Sequence, residues 1–174
     1  RSATAPNRAP PPHLLRAEQG LDLRRQSLVE RLHLAGERSH DFAVPADQVL
    51  AVVDACITKR VKGICVITAG FGETNDAGRE LEARLVEKVR GAGCRLIGPN
   101  CMGLLNTDPA VSLNATFSPV YPPAGNVAMS TQSGALGLAI LDYARRLNIG
   151  ISSFVSVGNK ADVSGNDLLQ FWEE

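Results

Sequence analysis

The chain is poor in aromatic residues, which make up 5% of its 174 positions and include a single tryptophan, so its core has to be built from aliphatic side chains. No apolar run approaches the roughly eighteen residues that a membrane-spanning helix needs, and residues 1–40 lack the apolar centre of a secretory signal, so no membrane partner is expected. Histidine is scarce: His13, His33 and His40 are all there is, and residues 41–174 contain none. No Cys-x-x-Cys pair occurs, and Cys56, Cys65, Cys94 and Cys101 are separated by 9, 29 and 7 positions with no histidine beside them. That spacing fits no common metal site, and no metal is expected. Three of the four sit within apolar helix or strand patterns, where a reduced thiol acts as a small hydrophobe, which points to a cytoplasmic setting. Excess charge is missing too. The formal net charge is zero, but residues 1–40 hold seven of the 18 basic residues, all Arg, and four of the 18 acidic ones, leaving 11 basic and 14 acidic residues in 41–174. A weakly acidic body argues against nucleic acid as a partner.

What is present begins with a segment unlike the rest. Residues 1–42 open with Pro6, Pro10, Pro11 and Pro12, which exclude a helix or sheet interior, and read as a basic, proline-rich, disordered tail. Leu21, Leu28 and Leu32 give a weak helical spacing inside it. Regular order is expected from Pro45, at the first turn of a helix whose apolar stripe is Val49, Leu50, Val53, Cys56 and Ile57. Ile64 to Thr68 is a β-rich apolar run of the kind buried in a parallel sheet. A glycine-bearing loop, Ala69 to Asn75, leads to an amphipathic helix from Asp76 to Gly91, and Arg95 to Ile97 is a further strand running into Gly98-Pro99-Asn100-Cys101. Two such helix-strand units imply an α/β protein with open parallel sheets that binds ligands at the strand carboxyl ends. Asn106 to Pro123 holds four prolines and no clean period, so 107–124 reads as an irregular connector.

The stretch from Gly125 to Lys160 is one βαβ unit: a short apolar strand from Asn126 to Thr131 with the length and flanks of a buried one, the turn Gln132-Ser133-Gly134, about fourteen residues of helix, and a strand from Ile151 to Val157. The first half of the helix is apolar nearly all round, which predicts a buried N-terminus. Its backbone N–H groups at Ser133, Gly134 and Ala135 are then candidate anion donors; equally, Ser133 can serve only as an N-cap and Gly134 only as a turn residue. Lys160, at the next strand end, is a candidate phosphate or carboxylate contact or a solvated loop residue.

The series VKGICVITAGFGE, RLIGPNCMGLLN, GNVAMSTQSGAL and SVGNKADVSGNDLL, in this order and spacing, resembles the NDP-forming acyl-CoA synthetases, relatives of the α chain of succinyl-CoA synthetase that include ADP-forming acetate-CoA ligase. The resemblance covers about Phe42 to Glu174. It implies residues 43–106 as the end of a Rossmann-like CoA-binding domain and 125–174 as the start of a flavodoxin-like ligase domain, with coenzyme A or acyl-CoA as the bound molecule. It further implies that Thr68, Ala69, Gly70 and Phe71 lie against CoA, that Asn100 and Cys101 lie near its thiol end, and that Ser133, Gly134 and Ala135 face a phosphate. The family reaction converts acyl-CoA, phosphate and a nucleoside diphosphate into acid, CoA and a nucleoside triphosphate through a phosphohistidine.

Two departures from the family pattern are visible. Residues 41–174 offer no histidine, and nothing in 1–40 resembles the glycine-rich turn that opens the family's CoA domain. The chain therefore reads as a partial copy without catalytic residues of its own, inactive without the remaining segments or an ATP-grasp partner domain. The other class of reading is a non-catalytic CoA-binding or regulatory module of a protein N-acetyltransferase. Cys101 has no His or Asp companion in its motif and is expected to be structural rather than nucleophilic.

Overall fold

In a computed structural model, residues 39–42 and 44–173 are described, the former by their backbone alone. The proline-rich opening, the weak leucine spacing and the side chains of His13, His33 and His40 lie outside the described residues. The chain runs β1 (Ser39–Phe42), α1 (Ala46–Thr58), β2 (Gly63–Val66), α2 (Asp76–Gly91), β3 (Arg95–Ile97), β4 (Gly103–Asn106), β5 (Leu113–Thr116), β6 (Ala124–Thr131), α3 (Gly134–Arg146), β7 (Ile151–Ser156) and α4 (Gly165–Glu173). Strands β1, β2 and β3 form a parallel sheet in that order. Regular structure thus starts earlier than Pro45, because the 39–42 backbone finds the open edge of β2 and pairs Ser39 with Gly63.

Sequence chemistry accounts for the helices. Pro45 precedes α1, which buries Val49, Val52, Val53 and Cys56, a three-and-four spacing that turns one stripe inward. Helix α2 starts where Asn75 accepts from the Gly78 N–H, carries Asp76 in its first turn and Lys88 and Arg90 in its last, and buries Leu85 and Val89. Burial pushes the Cys56 thiol up to about 11, with nearby Cys94 adding to the shift. At pH 8 Cys56 is accordingly a neutral thiol with no exposure, and iodoacetamide is expected to leave it unmodified in the folded protein and to alkylate it after denaturation, as read by peptide mass spectrometry.

The second sheet has the order β5-β4-β7-β6 and is mixed: β6 and β7 are parallel, whereas β4 runs antiparallel to both β5 and β7. The expected parallel pairing is present throughout the first sheet and between β6 and β7, while β4 and β5 add antiparallel pairing that the sequence did not announce. The expected irregular connector is corrected, since it contains β5, and β4 ahead of it hydrogen-bonds into the second sheet. Short strands such as GLLN and LNAT have too few residues for a period to show, and only their partners give them away.

Strand β7 is central and carries the core, where Phe154 and Ile151 pack with Met102, Leu105, Leu141 and Ala144. On its other side Val155 and Val157 meet Val163 and Leu168, with Ile97 of the first sheet and Trp172 alongside. Strand β6, by contrast, is an edge strand with no buried residue, and the start of α3 is exposed, Leu136 at 55%. The predicted buried strand and buried helix start are both overturned. An apolar run records what a surface could bury, and here only Gly137, Leu141 and Ala144 of α3 are buried, with Leu138 packing partly against the core. Among the described residues no helix is long and apolar enough to cross a membrane.

Candidate functional site

The loops after β2, β3 and β7 meet at one edge of the fold. Thr68, after β2, donates from Oγ1 to the Val44 carbonyl at 2.7 Å, and its own carbonyl accepts the Asn100 N–H at 2.9 Å. The β7 loop then lies across the β3 loop: Asn159 N–H donates to the Pro99 carbonyl at 2.9 Å, and Ala161 N–H to the Gly98 carbonyl at 3.2 Å. Gly158 makes that approach possible, because a Cβ there would collide with the Pro99 and Asn100 carbonyl oxygens and its φ is +54°.

Not every residue singled out by sequence is presented at this edge. Ala69 and Asn100 are exposed, and Thr68 and Gly70 are half-buried. Phe71 is fully buried, so only its backbone is available, and Cys101 is buried with its Sγ 3.7 Å from that of Cys65 and 3.4 Å from the Val66 carbonyl. The structural reading of Cys101 fits this position better than a contact through its thiol.

Two acids that sequence reasoning passed over organise the loop. Glu73 accepts the Gly70 N–H at 2.5 Å and the Phe71 N–H at 3.2 Å through one oxygen, and Asn159 Nδ2 at 2.5 Å through the other. Glu82, from α2, accepts the Gly72 N–H at 3.2 Å and the same Asn159 Nδ2 at 2.7 Å. Partial burial pushes the Glu73 carboxyl up, but hydrogen bonds from Asn159, Gly70 and Phe71 outweigh it and hold the group below its ordinary value. The sequence signal was present: Glu73 closes the Gly70–Gly72 turn, and Glu82 lies on the first half of the helix behind it.

The second candidate segment faces elsewhere on the same edge. Ser133 is the N-cap of α3, its Oγ accepting the Leu136 N–H at 3.3 Å, so the capping role considered from sequence is realised. The N–H groups of Gly134 and Ala135 remain in the first turn, without intrahelical acceptors. Beside them a cleft of about 480 Å³ opens between the ends of β6 and β7 and the start of α4. Thr131, Gln132, Lys160 and Asn166 line it, while Ser133, Gly134 and Ala135 do not. Lys160 is exposed, with φ +55°, and no carboxylate among the described residues pairs with it. Among those residues no group of three or more His, Cys, Asp or Glu is placed to hold a metal.

The first sheet is tied to the β7–α4 loop by Asp162, whose side chain is completely buried. It accepts Leu96 N–H at 2.7 Å, Arg90 Nε at 2.8 Å and Arg95 Nε at 3.0 Å, and Arg95 reaches on to Asp167 at 2.9 Å.

Residues 124–174 match the model of the succinyl-CoA ligase like flavodoxin domain. The ADP-forming acetate-CoA ligase of Methanocaldococcus jannaschii is 48% identical over 131 residues, which cover 75% of this chain and 18% of that protein. Subunit alpha of the ADP-forming acetate-CoA ligase I of Pyrococcus furiosus is 45% identical over 133 residues, 76% of this chain and 28% of the subunit. Among solved structures, the acetyl-coenzyme A synthetase 1 of Ca. Korarchaeum cryptofilum, in complex with phosphate and ADP, superposes with a TM-score of 0.74 at 47% identity, covering 79% of this chain and 29% of that one. The chain therefore spans less than a third of the length of each of these relatives.

Proposed function

We propose that this chain, which carries the sequence and fold of part of an NDP-forming acyl-CoA synthetase, supplies coenzyme A-binding surface to such an enzyme. The observation that carries the reading is the convergence of the β2, β3 and β7 loops at one edge, where Thr68, Ala69 and Gly70 lie beside Asn100. Ligands of open α/β sheets sit at such carboxyl edges. Residues 43–106 would form the end of the CoA-binding part and 125–174 the start of the ligase part, with β4 and β5 hydrogen-bonded into the sheet of β6 and β7.

In this reading Ala69, Gly70 and Asn100 contact CoA, and the backbones of Phe71 and Cys101 shape the surface from beneath. The free N–H groups of Gly134 and Ala135, with Lys160 across the neighbouring cleft, hold phosphate by charge and by the positive end of the α3 dipole. The chemistry of phosphoryl transfer through histidine falls to segments beyond this sequence, because residues 41–174 have no histidine to carry it. ATP-grasp and remaining ligase segments are the partners this implies.

Titration calorimetry of the 174-residue chain with coenzyme A is expected to show one saturable site, and Asn100→Ala to weaken it about tenfold. Incubation with acetyl-CoA, phosphate and ADP is expected to yield no ATP. Absence of saturable CoA binding would remove the proposal, and ATP formation would remove its assignment of the transfer step to other segments.

A further inference from the structure

The amide of Asn159 is unusual in how fully it is used. Nδ2 donates to Glu73 Oε2 at 2.5 Å and to Glu82 Oε2 at 2.7 Å, while Oδ1 accepts from Asn100 Nδ2 at 3.2 Å. A primary amide has two N–H hydrogens, so both are committed to carboxylates. Turning the group over would point its oxygen at two carboxylates, and the orientation is fixed by that penalty. Those carboxylates in turn hold three consecutive backbone donors, Glu73 those of Gly70 and Phe71 and Glu82 that of Gly72. Like charges brought onto one amide repel each other, and the shared donor is what lets them stay together.

We infer that Asn159 is a positioning residue for the 68–72 loop: by gripping Glu73 and Glu82 at once it fixes the loop in the shape that receives coenzyme A, although it lies on the β7 loop some ninety positions along the chain. The inference rests on the CoA reading given above for that loop. It also makes the β7 loop, whose next residue Lys160 lines the cleft, a mechanical partner of the first sheet.

The test uses the full 174-residue chain as wild type, Asn159→Ala, Glu73→Gln and the double variant. Coenzyme A affinity is read by calorimetry, local order by amide hydrogen exchange, and global stability by thermal melting. The expected result is a tenfold or greater loss of CoA affinity in Asn159→Ala, with at least tenfold faster exchange at Gly70, Phe71 and Gly72. Exchange at Leu85 and Val89, inside α2, is expected to stay as in wild type. Because Asn159 and Glu73 act as one unit, the double variant is expected to be no worse than the worse single one.

Unchanged or tighter CoA binding by Asn159→Ala would overturn the inference, tighter binding meaning that Glu73 competes with the ligand for the loop donors. Additive losses in the double variant would overturn it as well. If the wild type itself binds no CoA, the CoA reading fails, and the grip is judged by exchange alone: faster exchange at 70–72 supports it and unchanged exchange sinks it. Should Asn159→Ala unfold, Glu73→Gln at its exposed position carries the same comparison.

Discussion

Replacing Phe154 by alanine is expected to lower stability by about 3–5 kcal/mol, a large fraction of what a domain of this size has in hand. Phe154 is fully buried on the central strand β7, in the cluster with Met102, Leu105, Leu141 and Ala144. Its ring also lies where a Cβ on Gly137 would meet it, 2.7 Å from Cζ, so α3 is seated directly on the ring. Truncation removes the buried area and leaves a void that neither the paired strand nor the helix can close without moving. The neighbours β4 and β6 keep β7 in register through their backbone ladders, so collapse into the space is limited. The measurement is urea unfolding followed by the emission of Trp172, the one tryptophan, which packs on the adjoining Val155–Leu168 cluster. A midpoint within a few tenths molar of wild type would show that the ring contributes far less than its burial indicates.

Removing the Asp162 carboxylate is the second large effect. Its Coulombic part is modest, because the Arg90 and Arg95 side chains are 58% and 52% exposed and water screens them. The greater loss is the acceptor of the Leu96 N–H, which is buried and has nothing else to turn to when the carboxylate is gone. An orphaned buried donor together with weakened charge-assisted bonds places Asp162→Ala at about 2–4 kcal/mol. Asp162→Asn keeps an acceptor for Leu96 and is expected to cost about half as much.

The same group gives an acid limb. Burial pushes the Asp162 carboxyl up, but the bonds from Leu96, Arg95 and Arg90 outweigh it, so its folded value lies below the ordinary one of 3.8. A depressed carboxyl stabilises the fold fully above its unfolded value and loses that contribution as pH falls through the folded value. Wild type is therefore expected to lose stability below about pH 4, and Asp162→Asn to lose less over the same window. Thermal melting between pH 7 and pH 2 decides this, and equal slopes for the two proteins would show that the acid limb comes from other groups.

Much of the fold was legible because the responsible signals are local. The stripe of Val49, Val53 and Cys56 announced α1, and the amphipathic run from Asp76 announced α2 at the bounds observed. The turn Gln132-Ser133-Gly134 placed the start of α3 equally well. Strands β4 and β5 were not legible, since four residues each carry no period and the pairing of β4 to β7 is non-local. Of the candidate site, the loop after β2 was found from its glycines and its resemblance, but Glu73, Glu82 and Asn159 were not, because each is an ordinary polar residue until the others are beside it.

By itself the sequence determined the α/β class, the two helices of the first half, the βαβ unit around Ser133 and the resemblance to NDP-forming acyl-CoA synthetases, all of which rest on residues close together along the chain. It also determined that residues 41–174 bring no histidine to any chemistry they share in. Only the tertiary structure decided that the second sheet is mixed, that β6 is an edge, that Phe71 and Cys101 turn inward, and that one amide joins two distant loops. The reason is physical: hydrophobicity and propensity act residue by residue, whereas burial, edge position and hydrogen-bond partnership belong to pairs of segments and exist only once the chain has brought them together.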